Sequence, residues 1–152
     1  MFHQTKLSMM VLRCSSSFTD IHGLVKAASA LGDVLVLSPK AVKTEKALEM
    51  AFFLARNAFE ETENISSKLS NEAMLFLACE INFESALRKV GAASPDDFVL
   101  VSEKAIPSAR LKKTLFLTRA QTLPLSEWGN KMGAYSEGEL AIEKMALARI
   151  RN

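Results

Sequence analysis

The chain has 152 residues, 49% of them apolar and 24% charged, and nineteen basic residues against seventeen acidic ones leave a net charge of +2. That composition excludes the disordered, collagen-like and disulfide-scaffold classes and suits a single domain over 1–152, because a chain of this length buries roughly 68–70% of its unfolded surface. So small a total charge neither demands nor forbids nucleic acid, and any basic site has to be local.

In chain order, Ser8-Met-Met-Val-Leu-Arg13 reads as a short strand and Ser15-Ser16-Ser17 as a loop. Thr19 or Asp20 can cap a helix running to about Leu31, with Gly32 free to supply a positive φ beyond it. Asp33-Val-Leu-Val-Leu37 is apolar without a break and too short for a helix, which predicts a strand buried on both faces. Thr44 opens a long helix over about 45–60, where Leu48, Ala51, Phe52, Ala55 and Phe59 recur at helical spacing while Met50, Phe53 and Leu54 fall on other sides. A helix apolar nearly all round is covered from more than one direction. A short helix over roughly 63–69 and a strand over Glu72–Cys79 are expected next.

Asn82 caps a helix through Val90 that Gly91 closes, Ser94-Pro95-Asp96 is a turn, and Phe98–Val101 is a strand. Residues 105–113 fit a helical turn after Pro107, and Thr114–Thr118 reads as a last strand. Ser126 is expected to cap a short helix ending near Gly133, and Ser136 with Glu139 forms a capping box for a final helix. The fold class is therefore α+β with an α/β-like order: a small mixed sheet of about four to five strands, covered by helices, at least one pair antiparallel, and a C-terminal helix.

The chemistry-bearing residues are sparse. Cys14 and Cys79 lie 65 residues apart without a CxxC spacing, a reduced, cytoplasmic pattern. No run of 18 apolar residues occurs, so no membrane partner is expected. His3 and His22 neither cluster with other ligands nor pair with a nucleophile, and the six glycines form neither a GxGxxG nor a P-loop. No catalytic residues, metal or cofactors are assigned. Glu60, Glu61 and Glu63 read as a solvated face.

Two surfaces stand out. From Lys104 to Arg119 the chain carries Lys104, Arg110, Lys112, Lys113 and Arg119 and no acid, a run that suits phosphates or simply keeps a loop soluble, with Phe116 as its one stacking surface. The last helix has two apolar sides, Leu140, Leu147 and Ile150 on one and Ile142, Met145 and Ala146 on the other, so it can rest on its own core and offer a partner its second side, or be covered on both within the monomer.

The stretch Asn64-Ile-Ser-Ser-Lys-Leu-Ser-Asn-Glu-Ala-Met-Leu-Phe-Leu-Ala78, followed by Asn82-Phe-Glu-Ser-Ala-Leu-Arg-Lys-Val-Gly91, resembles the kinase-binding subunit of the KEOPS (EKC) complex, the PRPK-binding-protein family, in an archaeal form. Tyr135-Ser-Glu-Gly-Glu-Leu140 and Met145-Ala-Leu-Ala-Arg-Ile150 resemble the opening and the close of that family's last helix. The likeness runs from about Val34 onward and rests on the order of segments more than on one motif. It departs at Ile81-Asn82, where archaeal members often carry a basic residue and a Gln, and at Lys46, where they often carry a His.

The resemblance implies a non-catalytic regulatory subunit that binds and stimulates the complex's atypical kinase/ATPase, largely through the C-terminal helix. It also implies help in recruiting tRNA by its 3′ CCA end for threonylcarbamoyladenosine modification at position 37. On that basis Leu140, Ile142, Met145, Ala146 and Ile150 are expected at the kinase. Arg110, Lys112, Lys113, Arg119 and Asn64 are the candidates for tRNA. Met145→Arg or Ile142→Arg is expected to break docking in a folded monomer. The alternatives are a small-molecule-binding or enzymatic α/β domain with a pocket at the strand ends, built from Ser38, Lys40, Glu80 and Asn82, and a weak homodimer through the C-terminal helix.

Overall fold

A computed structural model describes residues 9–151, with side chains through Arg149. Ser8, His3 and the Ile150 side chain lie outside the described residues. The elements are β1 (Met10–Ser16), α1 (Ile21–Ser29), β2 (Val34–Leu37), α2 (Glu45–Glu60), α3 (Leu69–Ala78), α4 (Phe83–Val90), β3 (Phe98–Ser102), α5 (Ser108–Leu115), β4 (Leu117–Thr122), β5 (Lys131–Met132), β6 (Tyr135–Ser136) and α6 (Glu137–Arg151). The architecture is α+β. A four-stranded sheet has the order β2-β3-β1-β4, and β5-β6 form a separate hairpin. All three pairings in the large sheet are antiparallel, where the sequence predicts a mixed sheet with at least one antiparallel pair.

Side-chain alternation along the strands builds two cores. Val34, Val36, Phe98, Leu100 and Cys14 face α1 and α5, where Leu24, Ala28, Leu111 and Leu115 close over them. Leu35, Leu37, Val99, Val101 and Val11 face the other way, against α2, α3, α4 and α6. The sheet is thus a partition with helices on both sides. Its two edges differ. Beyond β2, the backbone of residues 90–92 lies alongside: Ser38 N donates to Val90 O at 2.8 Å, Ala92 N donates to Val36 O at 3.3 Å, and Leu37 bridges Gly91. β4, at the opposite edge, is exposed along nearly its whole length.

Short polar side chains start the helices as the sequence predicts. Asp20 Oδ1 accepts from Gly23 N at 2.7 Å, Thr44 Oγ1 from Ala47 N at 3.2 Å, Asn82 Oδ1 from Ser85 N at 3.2 Å and Ser136 Oγ from Glu139 N at 3.1 Å. Helix α1 stops at Ser29, slightly short of Leu31, and Gly32 takes φ +103° just beyond it.

Several expectations are corrected. Glu72–Cys79 is not a strand: Glu72–Ala78 lies in α3 with Cys79 just beyond its end, and in place of the helix expected over 63–69, residues 63–68 are a loop leading into α3. Between Glu72 and Ala78 there is no β-branched residue, only Ala, Met, Leu and Phe, so local preference favours the helix. Packed between α2, α4 and α6, α3 is apolar on several sides, and in so short a run a buried helix looks like a buried strand.

The strand expected over Thr114–Thr118 begins instead at Leu117, because Thr114 and Leu115 complete α5 and Phe116 breaks it with φ +50°. Ser126 caps no helix. Its Oγ accepts from Gly129 N at 2.9 Å in a turn that leads to the β5-β6 hairpin. The carbonyls of this segment serve the first turn of α2: Glu45 N donates to Ser126 O at 2.9 Å and Lys46 N to Glu127 O at 3.1 Å.

Both α2 and α3 end in Schellman turns. Thr62 N donates to Phe59 O and Glu63 N to Ala58 O, while Cys79 N donates to Phe76 O and Glu80 N to Leu75 O. The left-handed positions are held by Thr62 and Cys79, both at φ +57°, where glycine is usual. Among the described residues, no helix is long and apolar enough to cross a membrane.

Candidate partner-binding surfaces

Helix α6 is laid on by its N-terminal box and held at its far end by an ion pair. Arg149 Nη2 donates to Glu72 Oε2 at 2.8 Å, and the guanidinium sits 4.1 Å above the Phe76 ring. Glu72 is fully buried, and its other oxygen accepts from Ile65 N at 3.0 Å and Ser66 N at 2.8 Å. One carboxylate therefore organises the 61–68 loop and anchors the last helix. Sequence reasoning missed this pair, since it placed Glu72 at the start of a strand. The available signal was an acid opening an apolar run that has no β-branched residue.

That anchoring decides which side of α6 is free. Met145 is 1% exposed and joins the core, with Ala141 packed beside it. It is a core residue, not an outward one, which corrects its expected role at a partner surface. Leu140 and Ile142 are half-buried, Ala146 is exposed and Leu147 is 38% exposed. Leu140 and Leu147, two turns apart, share the outer side of the helix.

Two clefts flank α6, and Met145 lines both. One, of about 280 Å³, is lined by Lys43, Thr44, Cys79, Glu137 and Lys144 among others. The second, of about 630 Å³, has Leu54, Phe76 and Ile81 along it and Glu61 and Glu63 at its rim. Neither contains Ser38, Lys40, Glu80 or Asn82. Those four have local roles: Ser38 Oγ accepts from Lys40 N at 3.4 Å, Glu80 pairs with Lys89 at 3.2 Å, and Asn82 caps α4. Burial raises both thiols, Cys14 to about 11, and Cys79 is half-buried at the end of α3. Glu60, Glu61 and Glu63 are exposed, as expected.

The basic candidates do not form one patch. Lys112 and Lys113 are exposed on α5, and Arg110 beside them donates to Ala30 O at 3.4 Å, at the end of α1. Arg119 lies in β4 opposite Ser15, one residue from the Cys14–Ala120 pair that faces α5. Alternation turns Arg119 to the other side of the sheet, where the Arg13 hydrogen bond and ion pair at 2.7 Å, with a smaller contribution from the Arg119 charge, hold the Asp97 carboxyl below its usual range. Asn64 is also on the α6 side, and its Nδ2 donates to Ser66 O at 2.9 Å within the loop. Arg110, Lys112 and Lys113 are thus brought together, and Arg119 and Asn64 are not.

Lys46 is built into the α2 start: it pairs with Glu49 and Glu127, each at 3.3 Å, and lies 5.7 Å from the Trp128 ring. No protein-family model matches this chain, and no curated protein matches it.

Proposed function

We propose that the protein is a non-catalytic regulatory subunit of a KEOPS-type complex, binding and stimulating its atypical kinase/ATPase and helping to recruit tRNA. The observation that carries this reading is the state of α6: it is fixed inwardly by Met145 and the Glu72–Arg149 pair, while Leu140 and Leu147 are left on its outer side. A rigid helix with an apolar outer row is a ready surface for another protein. Ala146 and the half-buried Ile142 lie toward the Met145 side. The segment order that resembles the kinase-binding family supplies the identity of the partner, and exposed Lys112 and Lys113 support the tRNA role.

The test is capture of the same organism's KEOPS kinase by the purified protein, with Leu147→Arg as the variant. Capture by the wild type and its loss in a folded Leu147→Arg protein supports the reading. No capture by the folded wild type removes it. Concentration-dependent self-association in place of capture assigns the outer row to a second copy. The alternative of a small-molecule-binding domain draws on the 280 Å³ cleft, where Lys43, Lys144 and Glu137 meet an apolar floor. It becomes the leading reading if capture fails.

A further inference from the structure

Phe116 is hard to account for by folding alone. It follows α5 in a left-handed conformation, φ +50° and ψ +48°, which glycine adopts freely and a bulky L-residue does not. Burial does not compensate, because the residue is 57% exposed. Yet its backbone is held firmly to the end of β1. Ser17 N donates to Phe116 O at 3.0 Å, Ser16 Oγ donates to Leu115 O at 2.6 Å, and the same Ser16 Oγ accepts from Phe18 N at 3.1 Å. The Phe18 ring meets the Phe116 ring edge to face, centroids 5.4 Å apart and planes at 64°. An exposed ring is thereby carried on a fixed backbone and braced from one side.

Its surroundings are cationic. Lys112 and Lys113 stand one helical turn before Phe116, both exposed and, among the described residues, in no ion pair. No acidic residue occurs between Lys104 and Ser126. Asp20, across the loop from β1, has an oxygen engaged by Gly23 N. Two ammonium groups repel a cationic ligand and attract phosphate, and a braced aromatic face suits a planar base. An acidic peptide would engage the lysines but has no use for the ring.

We propose that Phe116, braced by Phe18 and flanked by Lys112 and Lys113, is a stacking platform for an unpaired base of a single-stranded nucleic acid. This rests on the tRNA part of the function proposed above and adds to it a base-contacting residue on the α5 side of the sheet. A base within a duplex is already stacked on its neighbours, so the platform selects unpaired strands.

The test is fluorescence anisotropy of the full chain with a labelled RNA oligonucleotide, single-stranded or annealed to its complement, alongside intact tRNA and a polyglutamate competitor. The single strand should bind more tightly than the duplex. Phe116→Ala should weaken it roughly tenfold with the salt dependence unchanged, and Phe116→Trp should restore it. Lys112→Glu with Lys113→Glu should reduce the logarithmic salt slope by about one per lysine. Unaltered binding by a folded Phe116→Ala protein, equal affinity for single strand and duplex, or displacement of the RNA by polyglutamate at equal charge each overturns the platform. If tRNA still binds in those cases, the tRNA role stands without it. No binding of either tRNA or oligonucleotide by the wild type overturns both.

Discussion

Glu72 and Arg149, 77 residues apart in sequence, meet at 2.8 Å with the carboxylate wholly removed from solvent. The charge on Glu72 is tolerable because Arg149 and two backbone N–H groups surround it. Removing the cation alone leaves an uncompensated buried charge. Arg149→Met should cost about 3 kcal/mol in denaturant unfolding, and Arg149→Met with Glu72→Gln less than the sum of the two single changes. A strictly additive double mutant would mean that the two side chains do not interact energetically.

Met145 and Leu147 separate the inner and outer duties of α6. Met145→Ala should lower stability by about 2–4 kcal/mol, the usual cost of emptying a packed core position, and Met145→Arg should leave little folded protein. Leu147→Arg should change stability by no more than about 0.5 kcal/mol. Thermal melts of the three variants check this. A well-folded Met145→Arg protein would place that side chain outside the core.

The boundaries of β2, β3, α2, α4 and α6 are legible because each rests on local chemistry: an unbroken apolar run, a capping side chain, a helical stripe. Helix α3 is not, because Ala73–Ala78 is too short and too evenly apolar for periodicity to tell a buried helix from a buried strand, and only its lack of β-branched residues favours the helix. The 126–136 segment pairs with the first-turn N–H groups of α2, a partner far from it in sequence. On α6 the apolar residues point in several directions, so which side is inner is settled only by the Arg149 anchor. The basic run was legible as charge but not as a surface, since strand alternation carries Arg119 to the far side of the sheet from Lys112 and Lys113.

Burial pushes the Cys14 thiol from an ordinary value of 9.0 up to about 11. A group raised in the folded state contributes fully below its unfolded pKa and loses that contribution as pH rises through the folded value. Stability should therefore fall between about pH 9 and 11 through this thiol, by about 3 kcal/mol. Cys14→Ala should be less stable at neutral pH and show a shallower alkaline decline. Parallel pH profiles for the two proteins would dismiss the thiol as the cause.

Thr62 occupies the left-handed position of the turn that ends α2, where its β-branched side chain is unfavourable. It is exposed, and its hydroxyl donates only to the adjacent Glu61 carbonyl at 2.6 Å. Thr62→Gly should stabilise the protein by about 1 kcal/mol, read as a higher denaturant midpoint at unchanged slope. A lower midpoint would show that the hydroxyl contact outweighs the backbone strain.

The unequal edges of the sheet set the direction in which it can grow. Residues 90–92 occupy the hydrogen-bonding groups beyond β2, so a further strand, from this chain or another, has to add at β4. The residues displayed there are Thr118, Arg119, Gln121 and Thr122, and the arginine makes stacking of identical copies unfavourable by repulsion. Removing that one charge would leave a neutral, threonine-rich rim, and fibre formation rather than unfolding is the failure such a variant would meet first.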